Sequence, residues 1–315
     1  MSTVLITGAG GSIGSELAYQ LINHDYITCL ILNDISESAL FEVFTKCIEF
    51  NKSLDVIPIV GNIASPSVLE TIKKNYSVEH IYNAAAYKHV YLSTYAPQIY
   101  LDNNLSATLA CLDIATACTA QLIHISTDKA VEPISPMGAT KRICEINLLS
   151  SEYNSVGKIK IVRFGNVLNS SGSVVPIFRR QITSRRPVTI TDAKAKRYFM
   201  TIEQAVSLVI DCSRTEPHEN ILVLDMGEPV LIEQVARNMI AEAGLKVTLD
   251  VPKNEKEIQI KYIGLREGEK LEEKLTSGEL LPTKIDNINF ANEKLNDLIK
   301  ITDAFAFNLG LNSRC

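Results

Sequence analysis

Residues 4–14 read Val-Leu-Ile-Thr-Gly-Ala-Gly-Gly-Ser-Ile-Gly, and a helix-like run follows from Ser15 to Asn23. A short apolar strand that breaks into regularly spaced glycines and then enters a helix predicts a cradle for a dinucleotide. Gly8 permits the tight turn, and Gly11 lets the backbone approach a pyrophosphate. Gly14 allows close packing of helix on strand. Ser12 and Ile13 sit in the helix N-terminus, whose partial positive charge faces the phosphates. Glycine spacing alone is a weak signal, because a turn without a ligand can carry it. The next apolar strand, 28–33, adds context by ending at Asp34, about 20 residues on, where a carboxylate can accept a hydrogen bond from an adenosine ribose. No Lys or Arg follows Asp34 until Lys46, which favours NAD over NADP.

Outward from that turn the pattern repeats. Apolar runs at 56–60, 81–84 and 121–125 alternate with helix-period stretches over 37–50, 66–75 and 98–118. This alternation predicts an α/β fold, a doubly wound parallel Rossmann sheet that binds ligands at the carboxyl ends of its strands. A helix after Lys141 leads to strand Ile159–Phe164, closing an expected NAD-binding domain over residues 1–166. From 167 to 315 the pattern loosens into short strands (187–191 and 221–224) and helices (202–213 and 231–243). This part is read as a smaller C-terminal substrate lobe. Strand 221–224 is expected to return to the large sheet, which makes the lobes interleaved.

Bulk properties narrow the functional classes. A hydrophobic content of 46% and a mean hydropathy of +0.09 over 315 residues are those of a packed globular protein. A net charge of −5 and a pI near 5.7 argue against a nucleic-acid surface. No apolar run approaches the ~18–20 residues of a membrane helix. The start enters a strand at once, without the basic segment and apolar run of a secretory signal, so a cytoplasmic location without a membrane partner is expected. Seven scattered cysteines (29, 47, 111, 118, 144, 212 and 315), with no Cys-x-x-Cys pair, suggest reduced thiols. The five histidines are dispersed, and no cluster has metal-ligand spacing.

The remaining motifs fall at strand ends. Asn62 and Ile63 follow the third strand; the amide could meet an adenine ring or cap a turn. Ala84, Ala85 and Ala86 close the fourth with the small side chains that packing against a dinucleotide requires. Lys88 and His89 come next, and solvated surface charge is the bland alternative for both. The fifth strand runs directly into residues 126–142, Ser-Thr-Asp-Lys-Ala-Val-Glu-Pro-Ile-Ser-Pro-Met-Gly-Ala-Thr-Lys-Arg. Thr127, Asp128 and Lys129 place a hydroxyl, an acid and a base side by side, where an ordinary surface ion pair is the competing reading. Lys141 stands where the lysine of a Tyr-x-x-x-Lys pair would stand, but Met137 occupies the tyrosine position. A thioether cannot take a proton, so redox chemistry here needs another base.

These blocks, in this order, resemble the extended short-chain dehydrogenase/reductase proteins. More closely, the chain is similar to the nucleotide-sugar 4,6-dehydratases of bacterial polysaccharide biosynthesis. Thr7–Gly14, Ala84–Val90, Ser126–Val131 and Met137–Arg142 carry the resemblance. It continues through Arg163–Leu168, Gly172–Pro176, Arg197–Thr201 and Gly264–Lys270. Family members usually have proline where Glu267 stands and aspartate where Asn62 stands. Larger members carry membrane-spanning segments before the catalytic part, and this chain resembles the short form without them. One subgroup has methionine at the position of Met137 and keeps the C5 configuration of the sugar, so the resemblance marks a specialised enzyme rather than a dead one.

The implied reaction is internal redox on an NDP-N-acetylhexosamine, with UDP-N-acetylglucosamine favoured and a GDP sugar as the variant. Hydride leaves C4 for NAD, the 4-ketone acidifies C5, water is lost across C5 and C6, and hydride returns to C6. By resemblance Thr127 bonds O4, Asp128 protonates the leaving C6 hydroxyl, and Lys129 is the C5 base. Lys141 holds the nicotinamide ribose and supports a positive local potential. The cofactor contacts implied are Gly8, Gly11, Ser12, Ile13, Gly14, Asp34, Asn62, Ile63, Ala84, Ala85, Ala86, Lys88, Asn103 and Lys141. On the substrate side, Asn166, Ser173 and Val174 meet the diphosphate and nucleotide, with Lys88, Pro176 and Met200 beside them. Arg197 and Arg266 grip phosphate, and Glu269 holds a ribose hydroxyl. Arg179, Arg180, Arg185 and Arg186 form a basic cluster that reads as solvated or interfacial. The product would feed a deoxyamino sugar or a nonulosonic acid such as legionaminic acid. A homo-oligomer, dimer or larger, is expected, with helix 98–118 as a packing face. The competing readings are a sugar 4-epimerase and a non-catalytic NAD-binding regulator.

Overall fold

The computed structural model describes residues 2–170 and 172–299. Its centre is one nine-stranded sheet. In chain order the strands are β1 (Ser2–Thr7), β2 (Ile27–Asp34), β3 (Asp55–Val60), β4 (His80–Asn83), β5 (Gln121–Ile125) and β6 (Ile159–Arg163). They are followed by β7 (Ile221–Leu224), β8 (Glu279–Pro282) and β9 (Ile288–Asn292). The spatial order is β8-β9-β7-β6-β5-β4-β1-β2-β3, with strands β1 to β7 parallel and the β8–β9 hairpin antiparallel at one edge. The doubly wound α/β sheet expected from the alternation is therefore present. The strand at 221–224 lies beside β6. Two further strands, β8 and β9, come from the segment that the sequence pattern leaves in the smaller lobe.

The central strands are apolar along their whole length because helices cover both faces. Val4, Leu5 and Ile6 of β1 and Leu30, Ile31 and Leu32 of β2 are buried, and the sheet divides the core into two clusters, one per face. Those helices are α1 (Ser12–Leu21), α2 (Glu37–Phe50), α3 (Pro66–Asn75), α4 (Pro97–Cys118) and α5 (Pro136–Ser150). Local sequence sets their starts. Ser36 and Ser135 cap α2 and α5 by accepting from the Ala39 and Gly138 N–H groups. Pro66, Pro97 and Pro136 open α3, α4 and α5, where a missing N–H costs nothing. Helix α4 stops at Thr119 in the left-handed region, φ 56°.

The smaller lobe packs α6 (Val174–Thr183) and a later helix, 232–242, on a three-stranded sheet formed by Val188–Ile190, Lys246–Thr248 and Glu257–Tyr262. It has its own apolar core around Phe178, Ile190, Ile240 and Ile260. Two short ladders stand between this core and the carboxyl ends of the large sheet. Asn166–Val167 pairs with Phe199–Met200, and Lys196–Arg197 pairs with Val230–Leu231. They bring residues far apart in sequence to one side of the β5 and β6 ends. Among the described residues no helix is long and apolar enough to cross a membrane.

Candidate active site

The glycine turn after β1 is shaped by close contacts. Gly8 has φ +68°, and a side chain there would come within 2.7–2.8 Å of the Ala84 and Ala85 backbone. A Cβ on Gly14 would lie 2.1 Å from the Gly8 carbonyl oxygen. Helix α1 therefore approaches β1 at a distance that only glycine allows, and its N-terminal N–H groups open into a cleft. Gly8, Gly11, Asp34, Asn62, Ile63, Ala84, Ala85, Ala86 and Asn103 line that cleft together. Ser12, Ile13 and Gly14 form the adjoining first turn of α1. The Asp34 carboxylate is fixed at its edge, accepting from Gly10 N (2.8 Å) and Ser36 N (2.8 Å). The Asn62 side chain caps its turn, with Oδ1 accepting from Ala64 N at 2.9 Å. Small side chains, a helix N-terminus and an oriented carboxylate fit a dinucleotide, and a Cβ at Gly8 or Gly14 would force apart the backbone that shapes the cradle.

At the end of β5 the chain makes a short 3-10 turn, Asp128–Ala130, capped by Thr127. Asp128 is 0% exposed. Its Oδ1 accepts from Thr127 Oγ1 (2.8 Å) and Lys129 Nζ (2.9 Å). Lys129 Nζ also donates to Asn166 Oδ1 at 3.1 Å, joining the β5 and β6 loops. The Lys129 side chain is 19% exposed and that of Asp128 is fully buried, so only the lysine of the pair meets solvent. Asp128 Oδ2 is buried without a hydrogen-bond partner among the described residues, beside Gly165, where a Cβ would lie 3.0 Å away. The three adjacent residues that the sequence singles out thus form one cluster, and the surface ion pair is excluded.

Met137 is buried in the first turn of α5, its N–H donating to Ser93 Oγ at 3.1 Å. Lys141, one helical turn further, is 6% exposed and points inward. Its Nζ bonds the Ile125 carbonyl and sits 3.1 Å from His124 Nε2. His124 Nδ1 faces Asn83 Nδ2 at 3.0 Å, and Asn83 Oδ1 accepts from Thr7 Oγ1 at 2.9 Å. Burial draws the His124 ring well below the usual histidine range, and Lys141 lowers it further. Burial also lowers the Lys141 amine, against the opposing pull of Cys144 and Glu145.

The small-lobe residues divide. Asn166 is in the cluster through Lys129. Ser173 precedes α6, which Val174 opens and Pro176 continues, and Ser173 Oγ is buried without a hydrogen-bond partner among the described residues. Met200 is buried in the ladder that carries Asn166. Arg266 is exposed, stacks on the Tyr91 ring at 5.1 Å and tops a turn that Glu269 closes through Arg266 N. Arg197 differs from expectation: its guanidinium donates to the carbonyls of Lys196 (2.7 Å), Lys270 (2.8 Å) and Leu271 (3.1 Å), fastening the 270 loop instead of standing free for phosphate. Lys88 and His89 are exposed, and a Cβ on Gly172 would touch the His89 ring. The basic cluster holds Arg179 near Asn169 Oδ1 (3.5 Å) and Arg185 on the Glu255 carbonyl (3.0 Å). Cys315 lies outside the described residues, and the other six cysteines are free.

Sequence reasoning missed the residues that hold this site from behind. Buried Asn104 clamps the loop after the alanines, accepting from Tyr87 N (2.8 Å) and donating to Tyr87 O and Thr140 Oγ1. Glu145 accepts from Ser126 Oγ (2.6 Å), from Arg163 Nε and Nη2, and from Arg142 Nη1. Glu293, from the end of β9, closes the network on Arg163 and Arg142. The signal available was a polar residue inside an apolar run, as with His124 in Leu-Ile-His-Ile; what it bonds to is set by strand order.

The fold and the cleft define a protein of the Rossmann type, with a glycine cradle at the carboxyl end of β1. The chain belongs to the polysaccharide biosynthesis protein family, whose profile matches residues 4–293. It is 37% identical over 287 residues to the capsular polysaccharide biosynthesis protein CapD of Staphylococcus aureus, covering 90% of this chain and 46% of that protein. It thus spans less than half the length of that relative. It is 29% identical over 286 residues to a UDP-glucose 4-epimerase of Rickettsia massiliae, covering 88% of this chain and 78% of the relative. Among solved structures, Pen from Bacillus thuringiensis superposes with a TM-score of 0.79 at 26% identity, covering 93% of this chain and 90% of Pen. The dTDP-glucose 4,6-dehydratase DesIV from Streptomyces venezuelae, with NAD and TYD bound, shares the fold at a TM-score of 0.69 and 16% identity, covering 97% of each chain.

Proposed function

We propose that this protein is a nucleotide-sugar 4,6-dehydratase acting on an NDP-N-acetylglucosamine, UDP favoured, with C5 configuration retained. The observation that carries the reading is the buried Asp128, paired with Lys129 at the end of β5, in a chain that has a thioether at residue 137. Elimination of water needs an acid at the C6 hydroxyl and a base at C5, and these two side chains supply both. Epimerisation at C4 needs only one proton carrier at O4, for which Met137 is unsuited.

The cradle fits NAD, which when bound would accept and return the hydride. Gly8, Gly11 and the α1 N-terminus would hold its pyrophosphate, with Ser12, Ile13 and Gly14 behind them. Asp34 would take the adenosine ribose, whose hydroxyl pair it suits better than a 2′-phosphate. Asn62, Ile63, Ala84, Ala85, Ala86 and Asn103 would line the rest, with Lys88 at the mouth. Thr127 would bond O4 and Asp128 would give its proton to the departing hydroxyl. Lys129 would take the C5 proton, its position held by Asn166. Ser173, Val174 and Arg266 would receive the substrate diphosphate, with Pro176, Met200 and Glu269 around the nucleotide. The relatives' role in polysaccharide biosynthesis supports a deoxyamino or nonulosonic sugar as the downstream product.

The test is proton NMR of the purified protein with NAD and, separately, UDP- and GDP-N-acetylglucosamine in D2O. A new C6 methyl signal establishes dehydration and names the nucleotide, and its couplings report C5. A C4 epimer without a methyl signal would make the protein an epimerase. Unchanged sugar with both substrates, despite bound NAD, would favour the regulator.

A further inference from the structure

The row of buried side chains Thr7, Asn83, His124 and Lys141 crosses three neighbouring strands and ends on α5. We propose that His124 is a positioning residue that donates its Nε2 proton to Lys141 Nζ, so that Lys141 meets the cofactor as an uncharged amine. This rests on the reading that the cleft takes NAD. Asn83 directs its amide nitrogen at His124, and that nitrogen has only protons to offer. Nδ1 of the ring is then the acceptor, and the single proton of a neutral imidazole lies on Nε2. That proton points at Lys141 Nζ, 3.1 Å away. An ammonium has three protons and no lone pair, and would set donor against donor. An amine accepts from Nε2, gives one proton to the Ile125 carbonyl and keeps one for the cleft. The same sense continues at the far end, where Cys111 Sγ donates to Thr7 Oγ1 and the Thr7 hydroxyl donates to Asn83 Oδ1.

The surroundings agree. His124 is 1% and Lys141 6% exposed, so neither charge would be solvated. From α5, Cys144 and Glu145 favour the charged lysine, but burial outweighs them. The Glu145 carboxylate is engaged by Arg163 and Arg142, which leaves it little hold on Lys141. From α4, Cys111 reaches Thr7, its thiol held protonated by burial up to about 12. Thr7 and Asn83, from β1 and β4, carry no charge. Met137 supplies the chemical reason. In a Tyr-x-x-x-Lys pair the ammonium stabilises a phenolate; beside a thioether it has none to stabilise, and it would oppose the positive nicotinamide ring.

The experiment is nitrogen NMR of the cofactor-free protein labelled at histidine and lysine, with His124 assigned by the loss of its signals in His124→Phe. The expected result is a neutral ring protonated at Nε2 and a Lys141 amine titrating below the exposed lysines. In His124→Phe the amine loses its donor, and its titration should move up by at least about one pH unit, a tenfold change in the proton equilibrium. The affinity for NAD at neutral pH, read by protein fluorescence, should fall with it. A ring protonated at Nδ1 facing a three-proton ammonium would overturn the proposal, and so would a downward shift in the variant. If His124→Phe fails to fold, the wild-type tautomer still decides the matter, because His124 is the only buried histidine of the five and is identified as the ring that stays neutral as pH falls. Neither readout involves a sugar, so an absence of dehydration leaves this result intact. Absence of NAD binding in the wild-type protein would instead sink the cofactor reading.

Discussion

At the scale of single residues the site depends on two kinds of atom, those missing at glycines and those buried at Asp128. Replacing Gly8 by alanine adds a Cβ within 2.7–2.8 Å of the Ala84–Ala85 backbone at a positive φ. Nothing there can retreat without moving β4. The expected outcome is destabilisation of more than about 1 kcal/mol in denaturant unfolding, together with loss of NAD retention. Asp128→Asn keeps the shape and removes the acid. Turnover in the C6-methyl NMR assay should fall by about 10²–10⁴-fold, the usual share of a general acid, with NAD binding retained. Equal loss of cofactor binding would reassign Asp128 to structure. The sequence named Thr127, Asp128 and Lys129 because adjacency at a strand end is visible in a string. It missed His124, Asn83 and Asn104, because their partners lie on neighbouring strands and helices.

At the scale of elements, the buried Arg142–Glu145–Arg163–Glu293 network ties α5, β6 and the end of β9 together, next to the turn that holds Asp128. Burial alone would raise the Glu145 carboxyl, but Arg163, Arg142 and Ser126 bring it below the ordinary 4.5. Glu293 is also held well below the ordinary value: burial is opposed by bonds from Arg163 and Ser277. A carboxyl whose folded value is depressed contributes stability that is complete above its unfolded value and is lost as pH falls through the folded one. Thermal scans should therefore show constant support from this network above about pH 4.5 and a steep decline below it. Glu293→Gln leaves Arg163 and Arg142 short of a counter-charge and should cost about 3–5 kcal/mol at neutral pH. A loss below about 1 kcal/mol would mean that the arginines find other partners.

At the scale of the whole molecule, ligand binding and folding are linked, because the cradle exists only when β1, β2, β4 and α1 are assembled. Saturating NAD should raise the melting temperature by the equivalent of about 2.7 kcal/mol at a hundredfold excess over Kd. NADP should do so far less, since its phosphate would face the Asp34 carboxylate. Equal stabilisation by the two cofactors would remove Asp34 as the selector. Interleaving has a consequence at this scale too. Because β7, β8 and β9 return to the large sheet, excising the segment after 166 should leave the β6 edge unpaired and the remaining chain insoluble on expression.

What the chain determined by itself was whatever rests on short-range patterning. The parallel sheet follows from apolar runs alternating with helical periods, and the glycine cradle follows from spacing within one turn. The cluster of Thr127, Asp128 and Lys129 follows from adjacency. Tertiary structure alone decided what depends on distance across strands. It turned Arg197 onto the backbone of the 270 loop, returned β8 and β9 to the sheet, and buried Lys141 against His124 instead of leaving it an open cation. The physical reason is that hydrogen bonding and desolvation act between atoms a few ångströms apart, and only strand order and register bring residues 7, 83, 124 and 141 within that range.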